Sequence, residues 1–162
     1  MSNLYPVYLV SETVGTFLFQ FESSNQVIYN IDFSKADYLF DILDEHTQHV
    51  YTISFFPIST KEIKFDKRVS ETIMATIIEF INSKEAALIY ICDSVDERQI
   101  FRQKIFIKWF NSNENKAYFK HEARIIDFKD FSIFAGLLCK TNDDTFEYYL
   151  KQIDDTLLNE NK

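Results

Sequence analysis

The spacing of hydrophobic and polar positions changes several times along the chain, and each change marks an element. The first third alternates at period two. Tyr5–Val10, Gly15–Glu22 and Gln26–Phe33 carry Tyr, Phe, Val and Thr in partial alternation, and Phe17, Phe19 and Phe21 fall on one face of the second segment. These read as strands. The polar run Glu22–Gln26 (ESSNQ) is turn chemistry, which makes the second and third strands a hairpin. From Ser34 to Glu45 the period lengthens. Ala36, Leu39, Phe40 and Leu43 share a helical stripe, and Ser34 followed three positions on by Asp37 resembles a capping box, so a short helix is expected. His49–Pro57 (HVYTISFFP) returns to a strand pattern.

The second half alternates between the two periods. Asp66 is placed to cap a helix over Lys67–Ser83, whose stripe is Val69, Ile73, Ile77 and Phe80, with Ile81 beside it. Ala86–Cys92 (AALIYIC) is apolar almost throughout, as a central strand covered on both faces would be. Ser94 with Glu97 forms a capping box ahead of a helix over Glu97–Phe110. After the polar loop Asn111–Lys116 come two strands, Ala117–Phe128 and Phe131–Thr141. A last helix, Thr145–Leu158, is capped by Asp144 and striped by Phe146, Tyr149, Leu150, Ile153 and Leu157. Neither a repeat nor a Pro/Gly/Ser linker divides the chain. The expectation is one α+β domain over residues 1–162, with a mostly antiparallel twisted sheet of six to seven strands and three to four helices. The segment from His49 through the Lys67 helix to Cys92 is a β-α-β unit that could supply one parallel pair.

Composition narrows the chemistry. Of 162 residues, 46% are hydrophobic, enough for a sizeable core. There are 17 Phe, 9 Tyr and 1 Trp, but only 2 glycines, Gly15 and Gly136. No G-x-G-x-x-G, P-loop or Gly-rich lid can be built from two glycines so far apart. The net charge of −8 argues against nucleic acid as a partner. The charge is uneven: −6 over residues 1–60, +2 over 61–129 and −4 over 130–162. Cys92 and Cys139 sit in apolar runs and read as small buried hydrophobes, consistent with a reducing cytoplasm. No apolar run approaches the length of a membrane span, so neither membrane nor targeting segment is expected.

Candidate chemistry concentrates in Ile91–Phe110 (ICDSVDERQIFRQKIFIKWF). A buried strand ends at Cys92 and runs into Asp93, Ser94 and Asp96 and a helix start, the kind of place where open α/β sheets bind ligands. Arg98 and Arg102, four apart, project close to the stripe of Phe101, Ile105 and Trp109. Two guanidiniums there need partners: either Asp93, Asp96 or a neighbouring carboxylate of the same chain, or a bound phosphate or carboxylate. A secondary candidate is Asp66 with Arg68, in a charge run (Lys61, Lys64, Lys67, Arg68) that also reads as a solvated face. His46 and His49 straddle an element boundary and the cysteines are isolated, so no metal is expected. His121 and Glu122 lie on opposite faces of a strand and do not form a local acid–base pair. No cofactor is indicated. Some of the surplus aromatics, such as Phe55, Phe56, Phe131, Phe134, Tyr148 and Tyr149, could line a partner groove, although periodicity places most of the aromatics in the core.

The runs FDKRVSETIMATIIEFI and ALIYICDSVDERQIFRQKIFIKWF resemble a small bacterial family found mainly in Bacteroidetes, domain-of-unknown-function family 6169. The resemblance is carried by Asp66, Arg68, Thr72, Cys92, Asp93, Asp96, Arg98, Arg102, Phe106, Trp109 and Phe110. It supplies a family name and no reaction. The order of strands and helices from Gly15 on is also similar to the GCN5-type acetyltransferase fold. In that family a Gly-rich loop opens the helix after the splayed strand; the matching stretch here, ISTKEIKFDKRVSET, has no glycine. That resemblance implies a degenerate acetyltransferase-like fold without its acetyl-CoA loop. Taken together, the residues point to a non-enzymatic protein-interaction or self-association module, partnered by another protein or by a second copy. The alternative is a small-molecule anion-binding or degenerate acyltransferase-like site at the Cys92–Arg102 junction.

Overall fold

A computed structural model describes residues 3–36, 49–58, 66–93, 108, 118–127, 132–141, 151 and 155, with the backbone alone at 91–93, 122–127 and 132–135. Among the described residues, seven strands form one sheet: β1 (Tyr8–Thr13), β2 (Thr16–Glu22), β3 (Ile28–Lys35), β4 (Val50–Pro57), β5 (Ala87–Asp93), β6 (Phe119–Asp127) and β7 (Ser132–Lys140). One helix, α1 (Lys67–Lys84), joins β4 to β5. Across the sheet the order is β1-β2-β3-β4-β5-β7-β6. Every neighbouring pair is antiparallel except β4 and β5, which run parallel. The parallel pair is the one the β-α-β unit demands, because a helix must carry the chain back to the starting end of the sheet.

The two periodicities explain how the layers meet. On β3, Tyr29, Ile31 and Phe33 are buried while Asn30, Asp32 and Ser34 on the opposite face are partly exposed. Register carries the same division onto β4, where Ile31 faces Phe55 and Phe33 faces Ile53. Helix α1 covers the apolar face with Val69, Ile73, Ile77, Phe80 and Ile81, all buried. Phe80 is the centre of this contact: its ring stacks on Phe33 at 3.9 Å and meets the edges of Phe17 and Tyr51 at 5.4 and 5.1 Å. On the other face the amide of Gln20 donates to Asn30 Oδ1 at 2.7 Å, a cross-strand polar pair. β5 is buried on both faces, with Ala87, Leu88, Ile89 and Tyr90 all at 1% exposure or less, as its unbroken apolar run predicts.

Several boundaries differ from expectation. The first strand is Tyr8–Thr13 rather than Tyr5–Val10, because Gly15, at φ 84°, makes a tight turn that draws β1 toward β2. Ser34 does not start a helix. It lies in β3, paired with both Thr16 and Thr52, and its hydroxyl donates to Asp32 Oδ1 at 3.3 Å. The period-two burial of Ile31 and Phe33 carries the strand through it, and Ala36 N–H then bonds Val50 O at 2.9 Å. The rest of that expected helix lies outside the described residues. So do the spans of the Glu97–Phe110 and Thr145–Leu158 helices, within which Lys108, Lys151 and Asp155 are helical. The expected three to four helices thus reduce, among the described residues, to α1. No described helix is long and apolar enough to cross a membrane.

Candidate functional site

The start of α1 is a clasp for the residues ahead of β1. Asp66 caps the helix, its Oδ1 accepting from Arg68 N–H at 2.9 Å. Its Oδ2 accepts from the Tyr5 hydroxyl, which also meets Ser24 Oγ at 3.1 Å. Arg68 lies with its guanidinium 4.0 Å above the Tyr5 ring and donates through Nε to Asn3 O at 2.7 Å. Tyr5 N–H donates to Thr72 Oγ1 at 3.0 Å. The secondary candidates Asp66 and Arg68 are therefore brought together, and both engage this chain's own N-terminal segment. The nearby Tyr29 hydroxyl is pushed above its ordinary pKa of 10.0, first by burial, then by the charges of Asp66 and Tyr5.

Pinning Tyr5 holds residues 4–9 beside α1 and leaves a groove of about 590 Å³ between them. One wall is a stripe of α1: Thr72, Ala75, Thr76, Glu79, Phe80 and Ser83, at the three- and four-residue spacing of a single helix face. The opposite wall is Leu4, Val7, Leu9 and Phe19. Leu9 faces the helix side because it pairs with Phe19 on β2. Among the described residues β1 is the outermost strand on this side of the sheet. All six residues of β1 are exposed, with Tyr8, Leu9 and Val10 at 66%, 49% and 53%. A bulge between Leu9 and Ser11 interrupts the β1–β2 register at Val10. Glu79 is exposed in the groove wall and has no ion pair among the described residues, whereas Lys84 extends over the Phe17 ring at 4.7 Å.

A second place of interest is where β4 and β5 part. Their ladder holds only Val50–Ala87, Tyr51–Leu88 and Thr52–Ile89, although β4 continues to Pro57 and β5 to Asp93. Asp93 is the last residue of β5, paired with Ile133. Ser94, Asp96, Arg98, Arg102 and Trp109 lie outside the described residues. Beside the parting, the Tyr90 hydroxyl is hydrogen-bonded to His121 Nε2 and the two rings stack at 5.7 Å. The tyrosine reaches β6 by lying across β7 at Gly136, where a Cβ would stand 2.1 Å from Tyr90 Cζ. Gly136 is thus required by close approach. The signal was present in the sequence as an isolated glycine in a strand pattern, but its partner could not be read from it. No set of three or more His, Cys, Asp or Glu side chains is placed to hold a metal among the described residues, and Cys139 is a buried thiol.

Comparison with known proteins follows the same central region. A family described as "Family of unknown function (DUF6169)" matches residues 65–155, more than half of the chain, from the α1 cap onward. No curated protein matches. Among solved structures, one described as "Crystal structure of a putative phosphinothricin N-acetyltransferase" is similar at 12% identity and a TM-score of 0.48, over 82% of this chain and 75% of that one. At that identity and TM-score it assigns neither reaction nor ligand here.

Proposed function

The chain belongs to the family of unknown function DUF6169, a membership that brings no reaction with it, and we propose from the geometry that it works as a protein-interaction module. The observation that supports this reading is β1: a marginal strand whose six residues are all exposed, three of them large and apolar. A sheet margin offers a row of backbone donors and acceptors to any extended segment, and exposed apolar side chains beside it add contact area. The isolated cysteines suit action in a reducing cytoplasm. The test compares the full chain with Val10→Pro, which removes an N–H at the bulge, a position that tolerates proline. Selection from a displayed peptide library, with light scattering on the purified protein, should show enriched extended sequences or self-association for the native chain and neither for Val10→Pro. A native chain that stays strictly monomeric and enriches the same peptides as Val10→Pro counts against the module.

A second reading has its own observation. The β4–β5 ladder stops at Thr52–Ile89, and β5 ends at Asp93. A small anionic ligand held by Asp93, Ser94, Asp96, Arg98, Arg102 and Trp109 would lie at this parting, at the carboxyl ends of two parallel strands. A thermal-shift screen with acyl-CoAs, nucleotides and simple anions tests it. A stabilising ligand whose effect disappears in Arg102→Ala supports the site; no response from any of them removes it.

A further inference from the structure

We infer that the groove between β1 and α1 takes an extended, basic segment of another polypeptide. Its backbone adds to the outer edge of β1, an apolar side chain sits against Leu9 and Ala75, and a neighbouring lysine or arginine meets Glu79. This rests on the reading of β1 as an interaction edge and names what that edge binds.

The shape selects an extended chain. A strand added to β1 lies about 4.8 Å further out, and every second side chain points to the α1 side. Leu9 already points there, because its partner Phe19 does. A residue beside Leu9 therefore projects over the groove mouth, whose floor and walls are Val7, Phe19, Ala75 and Phe80. The α1 stripe stands opposite, so a side chain entering from the edge finds apolar surface on two sides. Such side-by-side use of main-chain hydrogen bonds and alternate side-chain pockets is how strand addition combines affinity with selectivity.

The charge selects a basic one. Two charged residues line the groove, Glu79 and Lys84: Glu79 has no ion pair among the described residues, while the Lys84 ammonium lies over the Phe17 ring. Glu12 is the charged residue of β1 itself. The whole chain carries −8. A cationic segment is attracted to this margin and an acidic one repelled. The same numbers disfavour a second copy as occupant. Two copies of the chain carry −8 each, so like charge opposes the pairing of one β1 margin with another.

The test uses the full chain and fluorescence anisotropy with short labelled peptides of alternating valine–lysine, valine–serine and valine–glutamate. A further valine–lysine peptide is N-methylated on alternate backbone nitrogens, keeping its charge while losing ladder donors. The valine–lysine peptide should bind at least about tenfold more tightly than valine–glutamate, and more weakly as salt is raised. Glu79→Lys should abolish that preference, and N-methylation should abolish binding. Melting curves check that Glu79→Lys, a change at an exposed position, is folded. If valine–serine or valine–glutamate binds as well as valine–lysine, or Glu79→Lys changes nothing, the basic occupant is overturned while the β1 edge stands. If light scattering shows a dimer that Val10→Pro dissolves, the occupant is a second copy; again the inference falls and the edge stands. If the N-methylated peptide binds undiminished, or no peptide binds and the chain is a monomer, both fall together.

Discussion

β1 (YLVSET) and β4 (VYTISFFP) are written in nearly the same alphabet, yet one is exposed along its whole length and the other is mostly buried. The difference is position. β4 has β3 on one side, β5 on the other, and α1 above its apolar face. β1 has β2 on one side and faces α1 only across an open groove, so its side chains meet solvent and that groove. Burial is thus a property of neighbours as much as of residue type. A strand that remains apolar without being covered is carrying a surface that folding does not use.

The strongest way to break the contrast is to remove what covers β4. Phe80 is the α1 residue that meets Phe17, Phe33 and Tyr51 together. Phe80→Ala leaves a cavity among three rings and is expected to cost about 3–5 kcal/mol, read from urea unfolding. If the loss is instead under about 1 kcal/mol, α1 is not what buries the β2–β4 face. Next in size is Gly136→Ala. The added methyl meets the Tyr90 ring, not the end of a flexible chain, so Tyr90 must leave its place over β7 and its contact with His121. We expect about 1–3 kcal/mol, with the double variant Tyr90→Leu, Gly136→Ala recovering part of it.

These two residues also mark how far the sequence was legible. The α1 stripe, its Asp66 cap and the buried β5 run were readable because each rests on local periodicity or on a cap within a few residues. The parallel β4–β5 pair followed from chain order. What local patterns could not supply was any contact made across the sheet. Tyr90 and His121 are 31 positions apart in the chain. In the sequence His121 stands beside Glu122 and Gly136 is a lone glycine in an apolar run, and neither setting points to Tyr90. Ser34 misled for the opposite reason. Its cap-like spacing to Asp37 is a real local signal, but ladders to β2 and β4 on either side outweigh it. The candidate site was less legible still. Nothing in YLVSET says that its six residues stay exposed, and Glu79 looks like any solvent-facing residue of an amphipathic helix.

Alkaline pH probes the covered region more gently. Burial raises the pKa of Tyr51, and burial with the charges of Asp66 and Tyr5 raises that of Tyr29, both from 10.0. The folded state therefore keeps these protons to higher pH than the unfolded chain. Their contribution to stability is fully present below pH 10 and is lost as pH rises through the folded values. The urea midpoint should fall in that range, and fall less steeply in Tyr29→Phe. An identical slope in Tyr29→Phe would mean that Tyr29 titrates alike folded and unfolded.

The smallest expected effect is the one that sharpens the contrast most. Leu9 and Ile53 are both aliphatic strand residues on the α1 side of the sheet, at 49% and 6% exposure. Thr is a good strand residue, so replacing either with it changes burial chemistry more than strand propensity. Ile53→Thr puts a hydroxyl into the core beneath α1 and should cost about 1–3 kcal/mol. Leu9→Thr should fall within about 0.5 kcal/mol of the native chain, because the side chain is half in water already and has no covering element to lose. If Leu9→Thr proves as costly as Ile53→Thr, β1 belongs to the folding core and its apolar side chains are explained by stability alone. If it is neutral while peptide binding weakens, then Leu9 is apolar because a partner covers it.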